Sequence, residues 1–269
     1  MMRSAVLIAA LSSVALPAAA GAATLRTGAD GLLVYQAAVG ERNDVTARDD
    51  FGGPGPRLVF TETGARVRVG TGCEAGTPIV CEVRSTDMRL GDRDDRGSLR
   101  VGALFASRVW GGLGDDSVSA SGGEAFASGG AGDDSVSASA HGSAVGEGGA
   151  GRDALTAFAT GFAVLRGGDG PDRLNAGADN VTADGGAGAD VIEGQVGFGA
   201  GRMLGGLGDD HLTAAGDSRW QIDAGAGHDV IVATAAGADT IVCGAGRDSV
   251  QAGLEDVVAA DCETVALHN

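Results

Sequence analysis

The sequence predicts an all-β fold, a parallel β-solenoid of about eight coils with a small β-rich region before it. A nine-residue glycine–aspartate motif recurs at intervals of 18 to 20 residues, and each copy carries a large apolar residue at the same place. The segments outside the motifs contain short β-type runs broken by Gly and Pro. A repeat of this length cannot bury its apolar face alone, so successive copies are expected to stack as coils.

The motif reads G-G-x-G-x-D-x-U-x, where U is a large apolar residue. Six full copies begin at Gly111, Gly129, Gly148, Gly167, Gly185 and Gly205. Two further copies begin at Ala224 and Cys243 and lack only the first glycine. Random placement would give G-G-x-G-x-D only about 0.16 times in a chain of this composition, so the phased copies are a real repeat.

A flexible glycine-rich linker is the alternative interpretation. Glycine and proline together make up 49 + 5 = 54 of 269 residues, below the share of about 25–30% that is typical of disordered chains. A linker also needs no register, whereas these motifs keep one. The repeat therefore favours a stacked fold over a linker.

The predicted core is thin. Side chains alternate in and out along a strand, so the apolar eighth positions are expected to form one inward ladder. Its members are Val118, Val136, Leu155, Leu174, Ile192, Leu212, Ile231 and Val250. A second, looser inward ladder is expected just before the turns. Its members are Phe126, Val145, Val164, Val181, Leu204, Ile222 and Ile241. The remaining interior positions are largely Ala, Ser and Gly, so something besides apolar burial must supply stability.

Residues 1–22 are predicted to be a secretory signal peptide. They hold one positive charge at Arg3, an apolar stretch over residues 5–16 and a small-residue end at 20–22, the pattern of a cleaved export signal. A buried N-terminal helix is the alternative. No other stretch approaches the length of a membrane span, so the mature chain is expected to be secreted and extracellular, without a membrane span.

Residues 23–110 are predicted to form a β-rich N-terminal capping region, with a distinct recognition module as the alternative. Two degenerate echoes of the motif occur there, over residues 40–44 and 91–95, each with Arg where the fourth-position glycine belongs. Asp95 is retained as a candidate ligand and Asp44 is excluded. Residues 252–269, after the last motif, are expected to form a C-terminal cap.

The charge balance indicates cations as the natural counterions. The formal net charge is −17, and all 19 basic residues are Arg. Such a chain offers no basic patch to nucleic acid or to an anionic membrane, so no nucleic-acid partner is expected. A monomer is expected.

Four cysteines in an exported chain favour disulfides over thiol chemistry. Cys243 and Cys262 lie one repeat period apart, so stacking would place them on adjacent coils within disulfide reach. Cys73 and Cys81 would close a short loop. Free structural cysteines stay open as an alternative, and a zinc site lacks the usual C-x-x-C spacing.

The sequence contains no motif for a hydrolase. There is neither H-E-x-x-H for a zinc protease nor G-x-S-x-G for a nucleophile elbow. The four histidines, at 141, 211, 228 and 268, are scattered. His211 and His228 fall inside motif turns, where solvent-facing positions explain them better than a catalytic triad. The chain is therefore not expected to be an enzyme.

The motifs over residues 111–251 resemble the RTX, or haemolysin-type, calcium-binding repeat of exported bacterial proteins. The resemblance implies a right-handed parallel β-roll and calcium ions bound at the turns. The ligands that it implies are the position-six aspartates and backbone carbonyls of the glycine turns. The implied aspartates are Asp116, Asp134, Asp153, Asp172, Asp190, Asp210, Asp229 and Asp248.

The implied turn glycines are the second and fourth residues of each motif, where glycine permits positive φ and leaves room for carbonyls to face an ion. They are Gly112, Gly114, Gly130, Gly132, Gly149, Gly151, Gly168, Gly170, Gly186, Gly188, Gly206, Gly208, Gly225, Gly227, Gly244 and Gly246. Calcium takes 6 to 8 oxygen ligands and one turn supplies about half of them. Two stacked turns can therefore hold one ion, and eight turns up to about seven.

The chain departs from the family pattern in two ways. Family members run their nonapeptides end to end, whereas here a motif fills only every second half-coil, so ions are expected along one edge. Classical members also carry a C-terminal export signal rather than an N-terminal one. The function expected is that of a secreted protein that folds on calcium and has a structural, adhesive or interaction role. A cell-wall or carbohydrate-binding module is the alternative, with an extracellular or cell-surface polymer as partner. A toxin or hydrolase is the third functional hypothesis.

Overall fold

A computed structural model describes residues 22–50, 57–83 and 85–268, and these residues contain β-strands but no helix. Residues 1–21 of the predicted signal peptide lie outside the described residues. Within the described ranges no helix has the length and hydropathy to cross a membrane. The all-β prediction is confirmed.

Nine strands of the described residues precede β10 (Ala106–Leu113), the strand that enters the first full glycine motif at Gly111. They are β1 (Ala23–Thr27), β2 (Leu32–Gln36), β3 (Asp44–Asp50), β4 (Arg57–Glu62), β5 (Val67–Val69), β6 (Cys73–Glu74), β7 (Ile79–Glu82), β8 (Ser85–Asp92) and β9 (Arg96–Arg100). They correspond to the β-type runs in the sequence.

The remaining strands follow the repeat, two to a coil, except where one long strand runs through the bend between half-coils. They are β10 (Ala106–Leu113), β11 (Ser117–Ala131), β12 (Ser135–Ala150), β13 (Ala154–Ala159), β14 (Phe162–Asp169), β15 (Arg173–Ala178), β16 (Asn180–Ala187), β17 (Val191–Val196), β18 (Ala200–Leu207), β19 (His211–Ala215), β20 (Arg219–Gly227), β21 (Val230–Ala233), β22 (Thr240–Gly246), β23 (Ser249–Gly253), β24 (Val257–Val258) and β25 (Thr264–His268).

The strands stack in two parallel faces joined at every glycine turn. The pre-turn face contains the strand that enters each turn, such as β14, β16 and β18, and the post-turn face contains the strand that leaves it, such as β15, β17 and β19. Each strand pairs in parallel with its equivalent one coil later, so that Leu174 aligns with Ile192 and Gly168 with Gly186. This is a parallel β-roll, as the sequence predicts.

The roll has about ten coils rather than the eight predicted. The additional coils precede the motifs: β8 pairs in parallel with β10, and β9 with β11. One coil earlier, β2 pairs in parallel with β8, and β3 with β9. The sequence concealed these coils because they lack the glycine motif and because β4 to β7 interrupt the repeat. Beyond them, β1 and β4 pair antiparallel with β2 and β3.

The inward ladder of eighth-position residues is confirmed, since all eight of its members are buried. The second predicted ladder is wrong in part. Val181, Ile222 and Ile241 are buried, but its other members lie half-buried on the outer surface of the pre-turn face. These are Phe126, Val145, Val164 and Leu204. Side chains alternate along a strand, so an error of one position moves a residue to the opposite surface.

Small residues occupy much of the interior that the second ladder was expected to fill. Ala125 aligns with Ala144 and Ala144 with Ala163, and all three are buried. The largest buried side chain is Trp220, which is 0% exposed. A Cβ at either Gly194 or Gly201 would overlap its ring. The interior is therefore thin along most of the roll. Towards the C-terminal end of the roll, glycines make room for the indole ring of Trp220.

Both expected disulfides are present. Cys73 joins Cys81, with Cα atoms 4.1 Å apart, and Cys243 joins Cys262, with Cα atoms 5.3 Å apart. Within the described residues no cysteine is free. The first bond links β6 to β7 in the N-terminal segment, and the second fastens the segment before β25 to β22. Two segments with little apolar burial are thus held covalently.

Candidate metal centre

The glycine turns form a continuous column along one edge of the roll. Gly112 and Gly114 have φ values of +125° and +116°, and the second and fourth glycines of the other seven motifs also have positive φ. A Cβ on Gly112 would overlap the carbonyl oxygen of Gly91 in the preceding coil, and one on Gly130 would overlap that of Gly112. Glycine is required here both for the backbone conformation and for the close stacking of turns.

The eight predicted position-six aspartates form a second column inside the turns. Each is at most 3% exposed. Oδ1 of each one accepts a hydrogen bond from the backbone N–H of the equivalent residue one coil earlier, at 2.7 to 2.9 Å. The structure therefore brings all eight into one line, from Asp116 to Asp248. This ladder fixes the direction in which every carboxylate points.

The second oxygen of these carboxylates has no partner. Oδ2 of each of the eight aspartates is buried without a hydrogen bond. A Cβ built at Gly111 would contact Asp116 Oδ2 and, at 2.6 Å, the carbonyl oxygen of Gly129 in the next turn. The carboxylate and the carbonyl of the next coil thus converge on one point. Two acceptors without a donor between them require a cation or a proton.

Burial raises the pKa of seven of these carboxyl groups. Desolvation, opposed by the backbone hydrogen bond, raises the pKa to about 7 for Asp116, Asp172 and Asp210. For Asp134 the same causes raise the pKa to about 6. The pKa is also raised by desolvation at Asp153, Asp190 and Asp229. Without a counterion, therefore, these carboxyls keep their protons to a higher pH in the folded column than free aspartate does.

This shift predicts an unusual pH dependence for the metal-free protein. A carboxyl whose pKa is raised on folding binds more protons in the folded state, so stability falls as pH rises from about 4 to about 7. We expect metal-free protein to melt at a higher temperature at pH 5 than at pH 7.5. Calcium should reverse that order, because protons compete with it for the carboxylates. Thermal unfolding followed by circular dichroism measures both; a metal-free protein more stable at pH 7.5 would contradict the prediction.

The ligands available to an ion come mainly from the backbone. Among the described residues no group of three or more His, Cys, Asp and Glu side chains converges on a common point. The unpartnered atoms of these turns are carboxylate oxygens, which match poorly to a metal that prefers nitrogen or sulfur ligands. Carboxylate and carbonyl oxygens are the ligands that calcium prefers. The unpartnered Oδ2 atoms and the adjacent carbonyls fit a calcium ion between successive turns.

The histidines do not complete a catalytic arrangement in these turns. His211 and His228 are both exposed at the surface. His228 Nδ1 accepts a hydrogen bond from the backbone N–H of Arg247 at 3.0 Å, one coil later. The N–H of His228 in turn donates to Asp209 Oδ1 at 2.8 Å, one coil earlier. The interpretation of these residues as solvent-facing positions agrees with their placement.

The fold and the turns together define a parallel β-roll with a column of oxygen-lined glycine turns along one edge. The family model of the RTX calcium-binding nonapeptide repeat matches the chain in four copies, over residues 102–127, 110–140, 166–199 and 234–256. No curated protein and no solved structure matches the chain. These four segments of the chain therefore match repeats of the RTX calcium-binding type, the family that the glycine motifs resemble.

Proposed function

We propose that calcium is the folding ligand of this protein and that the ions lie between successive glycine turns. The observation that supports this is the column of buried, unpartnered Oδ2 atoms. Leaving one buried polar atom unpaired costs about 1–3 kcal/mol, and more for a charged group. Eight such atoms in a roll with a thin core would oppose folding strongly. A cation in each gap would convert this cost into a stabilising interaction.

We assign the ligands to the position-six aspartates and to the carbonyls of the stacked glycine turns. The eight turns from Asp116 to Asp248 enclose seven gaps, so up to about seven ions would be held. Seven divalent ions bring a charge of +14 against the formal net charge of −17. The near balance supports folding that is coupled to calcium binding.

We place the ions along one edge only. At the opposite edge Asp239 donates its N–H to Asp256 Oδ1 at 2.8 Å, which resembles the aspartate ladder. However, Asp256 Oδ2 accepts the N–H of Gly253 at 2.7 Å, so both of its oxygens have protein partners. Gly237 in the turn before Asp239 also lacks the positive φ of the metal turns. At this turn hydrogen bonds satisfy the carboxylate without an ion.

Replacing Asp172 in the middle of the column tests the ligand assignment. Asp172→Ala removes Oδ2 and also the Oδ1 acceptor of the Asp153 N–H. We expect weaker calcium binding, lower cooperativity and a loss of about 1–3 kcal/mol of stability from the unpaired N–H alone. Isothermal titration calorimetry and calcium-dependent unfolding measure these effects. Asp169→Ala is the matched control, because Asp169 is exposed in the same turn. Unchanged calcium binding in Asp172→Ala would refute the assignment.

We propose that the protein is exported and acts outside the cell. The predicted signal peptide and the two disulfides support this, because disulfides persist in oxidising compartments. Extracellular calcium, near the millimolar range, matches the weaker classes of calcium site. The lower calcium inside the cell would leave the column uncompensated until export. Calcium would thus couple folding to the compartment in which the protein acts.

We propose a structural, adhesive or interaction role for the folded roll, without catalysis, as a monomer. The expected cap over residues 23–110 is narrowed to β1 and β4 to β7, because β2, β3, β8 and β9 belong to the coils of the roll. The roll presents regular outer faces made of parallel strands in register. A binding module for carbohydrate or another cell-envelope polymer is the second candidate. The observation that favours it is a row of in-register polar side chains on the outer surface of the post-turn face. The row comprises Ser98, Ser119, Ser137, Thr156, Asn175, Glu193 and Thr213.

Pull-down on isolated cell envelopes distinguishes these roles. A polymer-binding module should be retained by purified envelope glycans in calcium and released by chelator. If the role is structural, the protein should fold in calcium but should not be retained by the envelope glycans. Replacing Ser119 and Ser137 by bulky Gln would block the polar row without touching the turns, and is expected to abolish retention while leaving the calcium-dependent folding intact.

A further inference from the structure

One turn outside the glycine motifs reproduces their backbone. The half-coil around Asp95 has Leu90 in the first motif position and Arg93 in the fourth, where glycine would be expected. Gly91 nevertheless has a φ of +105° and Arg93 a φ of +79°. Arg93 is the one non-glycine residue with positive φ in the described part of the chain. Its conformation is held because β8 and β9 stack in register on the following coil.

The carboxylate of Asp95 is placed like those of the glycine turns. Asp95 is 1% exposed, and its N–H donates to Asp116 Oδ1 at 2.8 Å. Its Oδ1 accepts the N–H of Asn43 at 2.6 Å, and its Oδ2 is buried without a partner. The Arg93 side chain is exposed, and the nearby Arg42 is paired with Asp94 at 2.7 Å. No buried guanidinium therefore compensates Oδ2.

Asn43 occupies the position-six place one coil earlier, directly before the aligned pair Asp44 and Arg96. Its Nδ2 donates to the carbonyl oxygen of Leu90 at 3.1 Å and to Asp95 Oδ1 at 3.2 Å. Its Oδ1 forms a hydrogen bond with the Tyr35 hydroxyl at 2.9 Å. The amide is 1% exposed and neither of its polar atoms lacks a partner.

Asn43 lies at the same place in its turn as the aspartates do in theirs, but it carries an amide where they carry a carboxylate. In a glycine turn, the second carboxylate oxygen faces the carbonyl of the first residue in the next turn, so two acceptors meet. In the first coil the side chain faces the carbonyl of Leu90, which is likewise the first residue of its turn. Here the amide NH₂ is a donor and satisfies that carbonyl directly. The gap between these two coils has no need of a cation.

We propose that the turn at Asp95 is a further calcium site, in the gap between Asp95 and Asp116, and that Asn43 ends the ion column by placing an amide nitrogen where the other gaps take a cation. This inference rests on the proposed function, because it extends the same column by one position. It assigns a site to a turn without the glycine motif and without a match to the repeat family. It also defines where the metal-dependent part of the roll begins.

Native mass spectrometry counts bound calcium ions one by one and tests the proposal on the full mature chain. Asp95→Asn should bind one ion fewer than wild type, since its new amide can donate to the facing carbonyl. Asn43→Asp should bind one ion more, because it recreates the acceptor pair. Asp94→Asn is the matched control, since Asp94 is exposed beside Arg42, and it should keep the wild-type count. Circular dichroism in calcium verifies that each variant is folded.

The outcomes separate this inference from the proposed function. A wild-type protein that binds no calcium defeats both. A wild-type protein that binds calcium, with an unchanged ion count in folded Asp95→Asn, overturns the Asp95 site alone. An unchanged count in folded Asn43→Asp overturns the assignment of Asn43 as the end of the column. If Asn43→Asp does not fold, the count in Asp95→Asn decides the new site, and Asn43→Ser tests the end of the column. Asn43→Ser supplies no carboxylate opposite the Leu90 carbonyl, so it should keep the wild-type count; a count one ion lower would show that Asn43 itself holds an ion and would overturn its assignment as the end of the column.

Discussion

Replacing Gly168 by alanine is expected to disrupt the stacking of the roll even in saturating calcium. Gly168 has a φ of +119°, and a Cβ there would overlap the carbonyl oxygen of Gly149 in the preceding coil. The left-handed conformation alone costs an L-residue roughly 1–2 kcal/mol. The overlap adds to this, because hydrogen-bonded strands about 4.8 Å apart cannot separate locally without losing their ladder. Thermal and denaturant unfolding should show a loss larger than the conformational cost.

Gly142→Ala provides the control for this substitution. Gly142 lies at the opposite edge of the roll, without positive φ, and a Cβ there would meet only the Gly123 carbonyl oxygen at 3.2 Å. We expect a small change in stability and unchanged calcium binding. Equal effects of the two substitutions would show that close stacking at the metal edge does not govern the stability of the roll.

Replacing Trp220 by alanine should be the most damaging truncation in the core. The indole is fully buried, and Gly194 and Gly201 leave the space that it fills. Removal of a buried tryptophan leaves a cavity and costs about 3–5 kcal/mol. Gly194 and Gly201 have no side chains with which to close it, and the long side chain of Met203, beside Gly194, could fill part of it. Denaturant unfolding in saturating calcium gives the free energy of unfolding directly.

Trp110→Ala is the matched control, because the chain has two tryptophans. Trp110 lies half-buried on the outer surface, with its ring centroid 5.2 Å from that of Phe126. Its removal forfeits an aromatic pair and some buried area but opens no internal cavity. We expect a clearly smaller loss than for Trp220→Ala. A larger loss would place the main stabilising contact on the outer surface instead.

The sequence predicts the parts of this fold that repeat. Equal spacing of the motifs predicts stacked coils, and stacking predicts that Val118, Val136 and Leu155 fall in line. The same spacing anticipates the bond between Cys243 and Cys262, one period apart. These inferences hold because periodic placement and strand alternation are geometric rules that require no knowledge of packing.

The sequence does not reveal what depends on packing across coils. It places Phe126 and Val145 inside, although the adjacent alanines point inward, since apolar character alone does not fix the face of a strand. It gives no indication that Trp220 would occupy space left by two glycines from other strands. It also hides the coils that precede the motifs, whose pairing with β10 and β11 is set by register rather than by composition.

In the candidate metal site, too, the sequence predicts the repeating positions but not the contacts between coils. The aspartate positions follow from the motif, but the unpartnered state of every Oδ2 becomes evident only when the coils are stacked. Arg93 in the fourth position argues against an ion at Asp95 until its side chain is found exposed and its φ positive. Asn43 offers no signal in the sequence, because its role depends on the carbonyl of Leu90, 47 residues away.

The most direct test of the account is far-UV circular dichroism of residues 23–269 during a calcium titration from a metal-free start at pH 7.5, with magnesium as control. Calcium suits these turns because it accepts many oxygen ligands in flexible geometry, whereas magnesium demands a near-ideal octahedron and retains its waters. Folding coupled to calcium binding predicts a cooperative gain of β signal with calcium and not with magnesium. A chain that is fully folded without metal, and unchanged by calcium, would contradict calcium as the ligand that completes the fold.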